Sequence, residues 1–413
     1  MAAAVASSAA VAAAVVAAHR ADWARVLAAT VRVAGDLDLA EECVQDAYVS
    51  ALSAWRSGVP ASPAAWLTTT ARNRALDQVR RSSVLQRKLP LLIEPAGPAA
   101  TAGEFPDDRL RLVFTCCHPA LAVEARIALT LRLVCGLTTP EVARALLVTE
   151  STMAARLTRA KKKIAGARIP YRVPTAEQLP ERLGAVLHVV HLLYTAGHTA
   201  SSGSTLTRPE LVERALDLAR MLRLLLPGDG DVAGLLALIL LTDARRATRI
   251  DARGRLQLLD EQDRQRWDRA EIAEGTALVR EALGRRPPGR YALQAAIAAV
   301  HAGSARFTDT DWHEIVGLYD LLLQRWPSPV VALNRAVAVG FALGPEAGLA
   351  ALDGLAGDPQ LARYPYLAAS RADLLARLGR TAEARLAYDE ALVFTGNEPE
   401  RDFLLDRRAR LGG

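Results

Sequence analysis

Aromatic side chains are scarce in this sequence, at 5% of 413 residues, although 51% of it is hydrophobic. The apolar content is largely Ala, Leu and Val, which suits helices packed closely over small side chains. Runs of alternating β-branched residues are missing, so a sheet protein is excluded and the expected class is all-α. Cysteine is rare too: Cys43, Cys116, Cys117 and Cys135 make no disulfide framework, and a reducing compartment is expected. No Cys-x-x-Cys pair accompanies the adjacent Cys116, Cys117 and His118, and His188, His191 and His198 fall on or beside an apolar helix. Metal ligation is therefore not expected. A Gly-rich phosphate loop, Gly-x-Ser-x-Gly and His-Glu-x-x-His are all missing, which argues against an enzyme and against a cofactor. The first eighteen residues are almost all Ala, Val and Ser, too small for a membrane span and without the leading basic residues of a signal peptide. They read as a frayed, partly helical tail on a soluble, cytoplasmic protein that contacts no membrane.

What is present is concentrated in Gly136–Ile164, GLTTPEVARALLVTESTMAARLTRAKKKI. Thr138 and Glu141 have capping-box spacing, with Pro140 in the first turn. Val142, Ala143, Leu146 and Leu147 give this first helix an apolar face. Thr149 can cap a second helix from Glu150 to about Ile164, with Met153, Leu157, Ala160 and Ile164 on one side and Arg156, Arg159, Lys161, Lys162 and Lys163 on the other. A helix-turn-helix that reads DNA needs this layout: polar residues at the start of the second helix for base edges, and cations beyond them for phosphates. A solvated basic helix needs nothing more, so this stretch alone leaves both readings open. The net charge of +6 allows a polyanionic partner without requiring one.

Upstream, Arg20–Val33 reads as a helix ended by Gly35. The next stretch, residues 36–55, is strongly patterned. Leu39, Cys43, Ala47, Leu52 and Trp55 are placed on one face, and Glu41, Glu42, Gln45 and Asp46 on an acidic opposite face. After a loop broken by Gly58, Pro60 and Pro63, the helix AAWLTTTARNRALDQVRR turns Trp66, Leu67, Ala71, Leu76 and Val79 inward and Arg72, Asn73, Arg74, Asp77, Gln78, Arg80 and Arg81 outward. Residues 89–106 hold four prolines and two glycines and read as a linker. Two further helices, 107–117 and 119–135, lead into the helix-turn-helix.

DLDLAEECVQDAYVSALSAW, PAAWLTTTARNRALDQVRR and the helix-turn-helix, in that order, resemble regions 2 and 4 of an extracytoplasmic-function (ECF, group 4) sigma factor of bacterial RNA polymerase. The resemblance implies two small helical domains joined by the linker, with RNA polymerase core (the β′ clamp and β flap) and promoter DNA as partners. Leu39, Glu41, Glu42, Gln45, Asp46 and Tyr48 would bind core, with Val44 adding apolar area. Arg72, Asn73, Arg74, Gln78, Arg80 and Arg81 would contact the −10 element, with Trp66 read as core. Glu150, Ser151, Thr152 and Ala155 would face −35 base edges, and Arg156, Arg159, Lys161 and Lys162 would neutralise phosphates.

The chain continues well beyond such a factor. IPYRVP, residues 169–174, reads as a stiff connector, followed by an apolar helix at 181–195 and a loose loop at 196–207. Helices are expected at 208–226, 232–249, 262–283 and 291–302, and helix pairs at 330–355 and 366–392 with near-tetratricopeptide spacing. With FTCCHPAL at 114–121, this part resembles an ECF subgroup with a tetratricopeptide-like tail, which implies a surface for a protein or peptide ligand and control in cis. The expected domains are 1–88, 107–168, 184–290 and 291–413, with a linker at 89–106 and a connector at 169–183. The dense charges Asp243, Arg245, Arg246 and Arg249, and those from Asp260 to Asp268, read as a salt-bridged helix surface, or else as a contact face. The rival function is a helix-turn-helix regulator with a repeat-type sensor domain, which would bind duplex operators without polymerase.

Overall fold

Periodic apolar residues and frequent caps put nearly the whole chain into helices. The computed structural model describes residues 8–87 and 108–411 apart from Leu147, Ser201 and Ala252, with backbone alone for residues 82–87. It holds eighteen α-helices and, among the described residues, no strand beyond two isolated β-bridges. The linker expected at 89–106 lies outside the described residues. The chain divides into two compact units, residues 1–189 and 190–413.

In the first unit the organising element is α1 (Ser8–Ala34). The alanine run does not fray over this span: Val11 and Ala18 are buried, and the helix continues unbroken into Trp23, Val26, Leu27, Ala28 and Val31. Alanine has the highest helix propensity and lets neighbouring helices approach closely. α1 packs against α2 (Leu37–Ala54) and α3 (Pro63–Arg87) on one side. It also packs against α4 (Asp108–Cys116) and the π turn Thr130–Val134 that continues α5 (Val123–Leu129). The Trp23 indole N–H donates to the Leu133 carbonyl at 3.0 Å, and the Tyr171 hydroxyl donates to the Ala28 carbonyl at 2.9 Å. The expected connector is therefore fastened to α1. Gly136 (φ +74°) lies so close to Trp23 that a Cβ there would sit 2.9 Å from the indole. α6 (Thr139–Ala145) and α7 (Glu150–Gly166) form the helix-turn-helix, and the first half of α8 (Leu179–His198) completes the unit.

The second unit begins in α8 and stacks α9 (Pro209–Leu225), α10 (Gly230–Asp243) and α11 (Arg269–Leu283). Helix pairs follow: α12 and α13 (Arg290–Gly303, Trp312–Arg325), α14 and α15 (Pro329–Ala342, Pro345–Asp353), α16 and α17 (Pro365–Arg377, Thr381–Phe394), then α18 (Glu398–Arg410). Each helix packs on its sequence neighbour, and α10 on α12 and α14 on α16 as well. Two expectations are corrected here. The loop at 196–207 is not loose: Ala200 and Leu206 are buried and Gly203 bridges to Asn397. The Asn397 amide donates to the Thr205 carbonyl at 2.9 Å, so the segment between α17 and α18 clips onto the unit's first loop. The helices expected at 232–249 and 262–283 are shorter, because α10 stops at Asp243 and α11 starts after Asp268, which caps it. The charged stretch between them folds inward through two 3-10 turns, leaving Asp243, Arg249 and Arg264 buried rather than on a helix surface.

Candidate nucleic-acid interface

The helix-turn-helix is built by its caps. The Thr138 hydroxyl accepts from the Glu141 amide while the Glu141 carboxylate accepts from the Thr138 amide at 2.7 Å. Thr149 caps α7 by accepting from the Thr152 amide at 3.2 Å. Val142, Ala143 and Ala145 of α6 and Met153, Leu157, Ala160 and Ile164 of α7 are buried. This leaves Glu150, Ser151, Thr152 and Ala155 exposed at the start of α7, with Arg159, Lys162 and Lys163 exposed further along and Arg156 half-buried. The Ser151 and Thr152 hydroxyls lie 3.1 and 2.8 Å from the Thr149 hydroxyl, which orders this end of the helix.

Lys161 is placed differently. Its ammonium donates to Asp38 at 2.6 Å and to Glu41 at 2.7 Å, and Arg132 pairs with the other Glu41 oxygen. Glu41 is only 5% exposed. A residue expected to meet polymerase and one expected to meet phosphate thus neutralise each other. Burial works to lower the Lys161 pKa, but Glu41 and Asp38 outweigh it and the net shift is upward. Arg132 belongs to the π turn, where the Cys135 amide donates to the Thr130 carbonyl five residues back. Its guanidinium also donates to the Leu137 carbonyl at 2.8 Å and lies 6.0 Å over the Trp23 ring.

On α2, Glu42, Gln45 and Asp46 are exposed as expected and Leu39 is half-buried. The expected faces need correction. Tyr48 and Val44 are buried, the Tyr48 hydroxyl meeting the Ala18 carbonyl at 3.4 Å, so neither offers apolar area to a partner. Leu52, assigned to the core, is 45% exposed and Val49 is 66% exposed. Residues 42, 45, 46, 49 and 52 make one stripe, acidic first and apolar after. The packed residues are instead Leu37, Ala40, Glu41, Val44, Tyr48 and Ala51, together with Cys43 and Ala47. A rotation of the helix by about one position separates this from the expected face, and the signal was available: Val49 and Leu52 continue the acidic stripe at helical spacing.

On α3, Ala71 and Ala75 are buried, Val79 is half-buried and Leu76 is 37% exposed rather than inward. Arg74 is turned to α2, where it pairs with Asp46 at 2.8 Å and donates to the Ser50 hydroxyl at 2.7 Å. Asn73, Arg80 and Arg81 are exposed, and Arg72 and Gln78 half-buried. Trp66 packs edge-to-face on the buried Trp55 at 5.8 Å. Cys116 and Cys117 are buried, with burial first among the causes that raise both thiols, and the Cys117 sulfur lies 3.4 Å from the Thr130 hydroxyl. The described residues hold no group of three or more His, Cys, Asp or Glu side chains placed to share a metal ion.

Residues 19–84 match the family described as Sigma-70 region 2, and residues 111–164 the family described as Sigma-70, region 4. Residues 182–283 match a family of unknown function, DUF6596. A protein of Rhizobium meliloti (strain 1021), described as uncharacterized, is 42% identical over 390 residues, covering 92% of each chain.

Proposed function

We propose a division of labour from one premise: the chain belongs to the sigma-70 family of RNA polymerase sigma factors and is of the extracytoplasmic-function type. It is a factor for transcription initiation, with core polymerase and promoter DNA as partners. The α2 stripe of Glu42, Gln45, Asp46, Val49 and Leu52, with Leu39 at its edge, docks on the β′ clamp: charge orients the encounter and the two apolar residues supply desolvated area. Asn73, Arg80 and Arg81, with Arg72 and Gln78, track the −10 strand. Glu150, Ser151, Thr152 and Ala155 meet −35 base edges while Arg156, Arg159 and Lys162 reach phosphates, and region 4 rests on the β flap.

The observation that carries this reading is that α7 keeps its reading end exposed while Lys161, further along, is committed to Glu41 and Asp38. Regions 2 and 4 are therefore held together, and this is the factor's resting form. On the promoter, Glu41 and Asp38 exchange Lys161 for cations of the clamp, and Lys161 exchanges them for phosphate. The stacked helix pairs of residues 290–394, tetratricopeptide-like in arrangement, act in cis on the regions 2 and 4 that precede them and present a surface for a protein or peptide ligand.

Run-off transcription tests this reading. Purified core polymerase, the full chain and its own upstream DNA should yield a transcript that depends on the chain, and Glu42→Lys with Val49→Asp should weaken core binding while leaving duplex binding intact. A full chain that shifts duplex DNA alone and never supports initiation would establish the helix-turn-helix regulator instead.

A further inference from the structure

The second unit holds a half-open cavity of about 370 Å³ that no role described above uses. Its walls come from α8, α10, α12, α13 and α14 and from the stretch before α11, and they set an apolar part (Leu238, Leu241, Ile297, Leu322 and Trp267 among others) beside a polar part that includes Thr242, Gln294, His301 and Asn334. That volume is at the lower end for small-molecule sites, roughly 300–1,000 Å³.

One charged side chain lines it, Arg245, and no carboxylate does. The neighbouring cations each find hydrogen-bond partners, although Nε and one terminal nitrogen of Arg264 find none. Arg246 pairs with Asp243, Arg249 donates to the His198 carbonyl and the Thr199 hydroxyl, and Arg264 donates to the carbonyls of His301 and Ser304 at 2.7 and 2.8 Å. Arg245 has no ion-pair partner among the described residues, and burial pulls its pKa down. A guanidinium left this way, with little water around it, is costly unless an anion completes it. Two more polar atoms in the lining lack partners, Gln294 Oε1 and His301 Nδ1. Burial, Arg245 and Arg264 hold the His301 imidazole down at about 4, so the ring is neutral near pH 7 and adds no second charge.

The lining selects its occupant by charge and shape. A cation is excluded by Arg245. A phosphate dianion carries two charges, and the lining offers it one cation, the guanidinium fork of Arg245. A carboxylate fits that fork in bidentate fashion, and an apolar or aromatic body fits the walls. We propose that this cavity binds a small organic monocarboxylate with an apolar body, its carboxylate on Arg245 and a hydrogen-bond donor turned to Gln294.

The test is thermal unfolding of the full chain with 4-hydroxyphenylacetate or 2-hydroxy-4-methylpentanoate, each of which carries a hydroxyl donor, against 4-hydroxyphenylacetamide and inorganic phosphate. A carboxylate should raise Tm in a saturable way, and the amide and phosphate should not. Arg245→Met should leave the ligand-free Tm unchanged or higher, since it removes an unmatched buried charge, and should weaken carboxylate binding by about 10- to 100-fold. Arg245→Lys should keep a weaker response. The proposal is overturned if neither carboxylate stabilises the chain, if amide or phosphate does so equally, or if Arg245→Met retains the response. It is also overturned if Arg245→Met unfolds or strongly destabilises the ligand-free chain, because Arg245 would then be a structural residue.

Discussion

Replacing Glu41 by Gln keeps the shape of the side chain and removes one charge from the group that joins region 2 to region 4. The cost follows from burial. The side chains of Glu41, Lys161 and Arg132 are 7%, 12% and 13% exposed, so the substitution leaves Arg132 without a carboxylate and Lys161 with Asp38 alone, where little water can reach. Breaking a buried pair by removing one partner costs about 3–5 kcal/mol. Asp38 makes the shorter contact with Lys161, 2.6 Å against 2.7 Å, yet its side chain is 71% exposed. Solvent screens that pair, and Asp38→Asn should cost no more than about 1 kcal/mol. For a unit of this size, Glu41→Gln should lower Tm by about 6–20 °C and Asp38→Asn by about 2–4 °C or less. A double-mutant cycle of Glu41→Gln with Lys161→Met should return a coupling of about 1–3 kcal/mol. The sign with pH is also determined. Because the folded Lys161 is shifted upward, its contribution is complete below the ordinary lysine value, about 10.4, and is lost as pH rises through the higher folded value. Chemical denaturation at pH 7.5 therefore reads the full effect. Equal losses for the two acid variants, or less than about 1 kcal/mol for Glu41→Gln, would refute the argument that burial decides which contact holds the regions together.

Arg159→Ala and Lys162→Ala should each weaken binding to promoter and random duplexes by a similar factor and reduce the salt dependence by about one ion per phosphate contact, measured by fluorescence anisotropy across a salt series. Asn397→Ala removes both the cap of α18 and the donor to Thr205 from a fully buried position. It should cost roughly 2–3 kcal/mol and open residues 199–206 to limited proteolysis.

Local rules were readable in the sequence. The Thr138–Glu141 box, the Thr149 cap, Val142 and Ala143 of α6 and the apolar positions of α7 are short-range features, and the structure repeats them, while Leu146 is the half-buried C-cap of α6 and Leu147 lies outside the described residues. The α14–α17 pairs were equally legible from periodicity and from the Gly379-Arg380 break. The failures share a cause. Glu41 looks like a solvated acid because its partners lie 91 and 120 residues away. Loop 196–207 looks loose because its clip, Asn397, stands 192 residues from Thr205. The Arg245 cluster looks like a helix surface because charge density says nothing about which side of a fold the chain turns to. On α2, a one-position error in phase hid Val49 and Leu52 and placed Glu41 outward, while Glu42, Gln45 and Asp46 are outward as expected.

The Asn397 clip has a consequence for how the second unit comes apart and how it could have evolved. An array of stacked repeats with loose termini gives way from its ends, one repeat after another, and tolerates repeats gained or lost. Here the first loop and the last inter-helix segment hold each other through Gly203, Thr205, Asn397 and Glu398. Neither the first loop nor the segment before α18 can come away without breaking this clip, so the unit should melt in a single cooperative step. The number of stacked helices is constrained as well, since duplicating or deleting one helix pair would carry the two halves of the clip out of reach.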